Sequence, residues 1–204
     1  MHLKLIDNVK AQINGSINAK VAVLESLSSI IASTGAILSN TLKQGNKILI
    51  CGNGGSAADA QHFSAELLGR YVQERQSLPA IALTTDTSTL TAIGNDYGYE
   101  QVFSRQIQGL GQPGDILIAI STSGNSPNIL TAIRTARERK MQIIALTGKK
   151  GGKIAGLLLP NEQHVCIPSD ITSYIQESHI MILHCWCEII DALLQVHLEQ
   201  TVSV

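Results

Sequence analysis

In the first 45 positions apolar residues recur three and four apart. Val23, Leu24, Leu27, Ile30, Ile31 and Ile37 fall on one helical stripe, which predicts two helices between residue 1 and about residue 45. The rhythm then changes. "KILIC" (Lys47–Cys51) is a short run, apolar on both faces and closed by a glycine turn. The same grammar recurs three times: "LPAIALTT" runs into the helical "STLTAIGND", "GDILIAISTSGNSP" into "NILTAIRTARERK", and "MQIIALTG" into "KKGGKIAGLLL". A last strand, "EQHVCIP", precedes a long helix predicted from about Ser173 to Leu198.

Short strands that are apolar on both faces and alternate with helices form a parallel sheet covered on both sides. The expectation is an α/β fold, one doubly wound domain over residues 1–204. It divides into N-terminal helices (1–45), an α/β core (46–170) and a C-terminal helix (171–204). Ligands in such folds sit beyond the carboxyl ends of the strands. The loops to read for chemistry are therefore Gly52–Ser56, Thr84–Ser88, Ser121–Ser126 and Thr147–Lys153.

Composition narrows the function classes. Of 204 residues, 44% are hydrophobic and 15% charged, the profile of a packed globular chain. Fifteen basic and sixteen acidic residues leave a net charge of -1, which gives no pull toward nucleic acid or an anionic membrane. The N-terminus lacks a signal-peptide core, and no apolar run reads as a bilayer span. Cys51, Cys166, Cys185 and Cys187 show no disulfide or zinc-ribbon spacing. They read as reduced cysteines of a cytoplasmic protein.

The loop "STSGNSPN" offers Ser121, Thr122, Ser123 and Ser126 at the end of a strand, with Pro127 opening the next helix. Hydroxyls beside a helix N-terminus can cradle a phosphate, although the same residues also serve plain capping. No lysine follows in the P-loop pattern. The first loop, Asn53, Gly54, Gly55 and Ser56, lets backbone approach a ligand closely. It is not the G-x-G-x-x-G of dinucleotide sites. His62 and Glu66, at i and i+4, share one helix face where they could bind a metal or exchange protons, or simply form a surface contact. Gln176 and His184 share a side of the last helix. His184 lies in the apolar "IMILHCWC", where an unpaired ring is costly. His179 competes with it, and spacing alone does not choose between them. His164 reads as structural or surface, and His2 and His197 as solvated.

These residues carry a family resemblance. Gly52–Ser56, "AQHF..EL..RY" (Ala60–Tyr71), "GND" (Gly94–Asp96), "ISTSGNS" (Ile120–Ser126), "ALTG..GG" (Ala145–Gly152) and "IQE.H" (Ile175–His179) together resemble the phosphoheptose isomerases of the sugar-isomerase (SIS) fold. The resemblance implies zinc held by His62, Glu66, Gln176 and His184, with Glu66 and His184 as the acid–base pair. It implies a phosphorylated seven-carbon sugar bound by Asn53, Gly54, Gly55, Ser56, Glu66, Arg70, Asn95, Asp96, Ser121, Thr122, Ser123, Ser126 and Gln176. It also implies a homotetramer with sites shared between subunits. The chain is similar, too, to a regulatory SIS relative that associates with the replication initiator. In that relative, residues unfit for this chemistry stand where Glu66 and His184 stand here. A phosphosugar-sensing module is a third possibility and needs neither residue.

Overall fold

The computed structural model describes residues 2–202, with side chains described for 3–194. His2 and His197 lie outside the described side chains. Five strands form one parallel sheet: β1 (Ile48–Cys51), β2 (Ala80–Ala82), β3 (Ile116–Ser121), β4 (Gln142–Thr147) and β5 (Gln163–Cys166). Their order in space is β2-β1-β3-β4-β5. Registers such as Ile48↔Ile116 and Ile118↔Ile144 align the strands so that apolar side chains stack in rows. Among the described residues seven α-helices surround the sheet: α1 (His2–Lys43), α2 (Gly55–Leu68), α3 (Thr87–Tyr97), α4 (Ser104–Leu110), α5 (Pro127–Glu138), α6 (Gly152–Leu157) and α7 (Thr172–Val202).

Strand side chains alternate between the faces, and each face has its own core. Ile48, Ile50, Ile118 and Leu146 pack against α1, α2 and α7. Leu49, Leu117, Ile143 and Ala145 pack against Ile107 of α4, Ile133 of α5 and Ile154 of α6. The chain reverses its winding between β1 and β3, so the crevice for a ligand opens at their carboxyl ends.

Two helices were expected before residue 45, and the structure has one. The stripe continues unbroken because α7 packs along α1 for most of its length. Gly15 and Gly35 sit inside α1 where Tyr174 and Ile189 press against its backbone; a Cβ on Gly35 would lie 2.8 Å from Ile189 Cδ1. The Trp186 indole donates to Ile31 O at 3.0 Å across the same contact. Tertiary packing stabilises what looks like a broken helix in isolation. α1 also contains a window of mean hydropathy 1.7, apolar and long enough to span a bilayer by composition alone, with 28% of that window buried. The sequence reading saw no such run. The apolarity of α1 serves in part to cover α7. The other boundaries move by a few residues, the largest change being a three-residue edge strand β2.

Candidate functional site

The loops after β1 and β3 lie side by side at the switch point. Asn53 and Asn128 join them through a reciprocal amide pair, with Nδ2 of each donating to Oδ1 of the other at 2.9 and 2.8 Å. Tyr99 Oη adds a third bond to Asn53 Oδ1 at 3.3 Å. Asn53 thus holds the two loops together with its side chain. A hollow of about 190 Å³ lined by Asn53, Tyr99, Ser126 and Asn128 lies beside this pair.

The serine loop is internally braced. Ser121 and Ser126 face each other, hydroxyl to hydroxyl, at 2.9 Å. Ser126 precedes Pro127 as the expected N-cap residue, yet it makes no side-chain cap bond. Pro127 has no N–H, and Ile129 N and Leu130 N donate to Ser126 O at 3.1 and 3.0 Å, so the first turn of α5 leaves the Asn128 N–H for an anion. Ser123 Oγ accepts from Asn125 N at 3.2 Å, and Asn125 Oδ1 accepts from Lys153 N at 3.0 Å, which ties the loop to α6. Gly124 takes φ +65°, and a Cβ there would strike Gly151 O. Only glycine fits this crossing. α2 likewise begins with no side-chain cap.

The second half of the site is built by α2 and α7. His62 Nε2 and His184 Nε2 are 2.8 Å apart, and Glu66 Oε1 is 3.3 Å from the same His62 nitrogen. Tyr71 stacks on His184 with ring centroids 5.7 Å apart. The spacing that put His62 and Glu66 on one face of a helix also turns that face toward α7. His179 does not compete: it is fully buried, with Nε2 donating to Thr147 O at 3.0 Å. Burial holds its ring well below the usual range, at about 4. Of the two readings of His164 the structural one holds: it pairs with Thr147 Oγ1 at 2.7 Å, and burial lowers its pKa.

Gln176 leans over the start of α2, where a Cβ on Gly55 would lie 2.9 Å from its Cδ. It makes no hydrogen bond to His62, Glu66 or His184 among the described residues. Arg70 is exposed and pairs with Glu74 at 3.6 Å. Asn95 donates to Asp96 Oδ1 at 2.8 Å on the exposed end of α3. These three do not join the cluster within one chain. Asp59, one turn before His62, was missed. Its Oδ2 is buried without a partner, and burial pushes its carboxyl up to about 6 while the nearby His62 pulls it partly back. Its spacing of three residues from His62 was the available signal.

Residues 13–148 match the SIS domain family model. The chain is 55% identical to a phosphoheptose isomerase of Azoarcus sp. (strain BH72), over 94% of this chain and 98% of the relative. Identity to the phosphoheptose isomerase of Shewanella loihica is 56%, over 92% and 95%. The solved structure of a phosphoheptose isomerase from Neisseria gonorrhoeae superposes with a TM-score of 0.88 at 48% identity, covering 92% of this chain and 99% of that one. The chain belongs to the phosphoheptose isomerase family, within the SIS domains.

For a phosphoheptose isomerase family member, the donor set bears on zinc. Among the described residues no group of three or more His, Cys, Asp or Glu side chains is spaced as a metal shell. The His62 and His184 nitrogens stand in direct contact at 2.8 Å. Two nitrogens bound to one tetrahedral zinc lie roughly 3.3 Å apart, so opening the pair by about half an ångström is enough. Two imidazole nitrogens with a carboxylate oxygen beside them suit zinc chemically. The residues fit.

Proposed function

We propose that this chain is an aldose–ketose isomerase that converts D-sedoheptulose 7-phosphate to D-glycero-D-manno-heptose 7-phosphate, in the cytoplasm, for bacterial surface heptose (lipopolysaccharide precursor) biosynthesis. The observation that carries the reading is the convergence of Glu66 and His184 on His62. The named relatives support the substrate class. The regulatory SIS reading has less support, because both proton-transfer side chains are present and each contacts His62.

The roles follow from chemistry. Ser121, Thr122, Ser123 and Ser126, with the Asn128 N–H at the start of α5, hold the phosphate at the far end of the sugar. Gly54, Gly55 and Ser56 let the backbone of the first loop approach the open chain. Glu66 takes a proton from C-1 of the ketose, and the electron pair forms the C-1–C-2 double bond of an enediol. His184 delivers a proton to the C-2 oxygen as the carbonyl is lost. In the second half His184 takes the proton from the C-1 oxygen and Glu66 returns its proton to C-2. The aldehyde forms with no net gain or loss of protons. His62, Glu66 and His184 would hold the zinc, with Gln176 as a further oxygen donor; when bound, the metal polarises the carbonyl and stabilises charge on its oxygen.

A homotetramer with sites shared between subunits completes the proposal. Leu3, Ile6, Val9, Ile13, Ile17 and Val21 run along α1 as exposed apolar residues, an expensive face to leave in water. The groove of about 550 Å³ between α1 and α7 continues that face. The exposed Arg70, Asn95 and Asp96 are then free to reach a neighbour's site. The function is tested by following heptose 7-phosphate formation with the purified chain; absence of product from a folded, zinc-supplied preparation contradicts it.

A further inference from the structure

Arg75 lies just after α2, outside any regular element. Its side chain is only 9% exposed, and nearly every donor is used. Nε donates to Asp191 Oδ1 at 2.6 Å, Nη2 to Glu66 O at 2.9 Å, and Nη1 to Leu67 O at 2.9 Å and Gln76 O at 3.1 Å. Glu66 and Leu67 belong to the last turn of α2, whose carbonyls have no partner within the helix. Asp191 follows His184 by seven residues, two turns along the same face of α7. One guanidinium therefore joins the end of the helix that carries Glu66 to the helix that carries His184.

Besides the His62–His184 contact itself, the two helices meet through apolar contacts such as Phe63 on Trp186, with centroids 6.3 Å apart. Such burial is non-directional and leaves the axial register soft. A planar fork with fixed donor directions sets register, and lysine, a point charge, does not. Asp191 depends on this partner, since its Oδ2 is buried with no other bond among the described residues.

We propose that Arg75 is a positioning residue for the isomerisation: by clamping the C-terminal turn of α2 to Asp191 of α7, it holds the Glu66 carboxylate and the His184 imidazole at their working separation. The proposal rests on the isomerase reading above. A buried ion pair that served stability alone would look the same in a static structure, so the test must separate the two.

The test is a double-mutant cycle in the full chain. Arg75→Lys keeps the charge and removes the fork; Asp191→Asn keeps an acceptor for Nε and removes the charge. Each is made in the wild-type and the Glu66→Gln background, and kcat and KM for sedoheptulose 7-phosphate are measured on protein shown to be folded by circular dichroism. The expected result for Arg75→Lys is a fall in kcat of about tenfold or more, with KM within about twofold of wild type. On the Glu66→Gln background that fall shrinks to under about threefold, because misplacing an absent carboxylate costs nothing. Asp191→Asn shows a smaller loss with the same coupling, and it alone decides the matter if Arg75→Lys does not fold. A folded Arg75→Lys with near wild-type kcat, or equal losses in both backgrounds, overturns the proposal and leaves the isomerase reading standing. A wild-type chain that forms no heptose 7-phosphate overturns both.

Discussion

His62 and His184 meet Nε2 to Nε2 at 2.8 Å, across 122 residues of sequence. One of the two nitrogens must carry the hydrogen and the other must accept it. Glu66 Oε1 stands 3.3 Å from the same point. Three groups that exchange protons or bind metals are thereby gathered where α2 and α7 face each other.

That loop tolerates little change. A Cβ at Gly124 would strike Gly151 O, and the residue holds φ +65°. Gly124→Ala should therefore displace the cradle, raising KM for the phosphorylated sugar at least about tenfold and destabilising the fold by roughly 1–3 kcal/mol. Ser123→Ala removes the hydroxyl that accepts from Asn125 N and should act mainly on KM, with kcat within a few-fold. Steady-state kinetics with denaturant melts check both. A Gly124→Ala enzyme with unchanged KM would place the phosphate elsewhere.

His179 makes stability depend on pH. Its ring is held neutral in the fold, with a pKa of about 4 against an ordinary 6.5, because burial penalises the charge. The unfolded chain binds this proton below about pH 6.5 and the folded chain does not until about pH 4. The contribution is full above pH 6.5 and is lost as pH falls toward 4, by roughly 3 kcal/mol in all. Urea melts at pH 7.5 and 5.0 should show the loss, and His179→Gln should flatten it. An equally steep pH dependence in that variant would assign the effect to other groups.

Zinc has a readout of its own. Chelation should abolish isomerisation, elemental analysis should find zinc in the untreated protein, and added zinc should restore the rate. His62→Ala should lower zinc content without unfolding the chain, since the ring is partly exposed in the α2–α7 cleft. Full activity in protein shown to be free of metal would remove zinc from the account.

The apolar face of α1 predicts assembly. Light scattering should give four times the chain mass of 21.8 kDa. Ile13→Asp and Ile17→Asp together should dissociate the assembly and reduce activity. A monomer that remains fully active would show that each site is complete within one chain.

The sheet and the strand-end loops were legible because two-sided apolar strands and glycine turns are local signals. His62 and Glu66 were legible for the same reason: one helix turn relates them. What the sequence did not disclose depends on contacts between distant segments. The choice of His184 over His179 needed the rotation of α7, which sends one ring to His62 and the other to Thr147 O. The single helix α1 needed α7 packed against Gly15 and Gly35. Asn53 reads as a ligand residue in isolation, and only its pairing with Asn128 reveals the brace. The buried Asp59 oxygen, likewise, has no signature beyond its spacing.

The central claim is that Glu66 and His184 move the proton. Its most direct measurement is heptose 7-phosphate formation by the wild-type chain and by Glu66→Gln and His184→Asn, at matched zinc content and with folding checked by circular dichroism. The account predicts an active wild type and a fall in kcat of roughly 10²-fold or more in each variant, with phosphosugar binding largely kept. Near wild-type rates from both variants would contradict it.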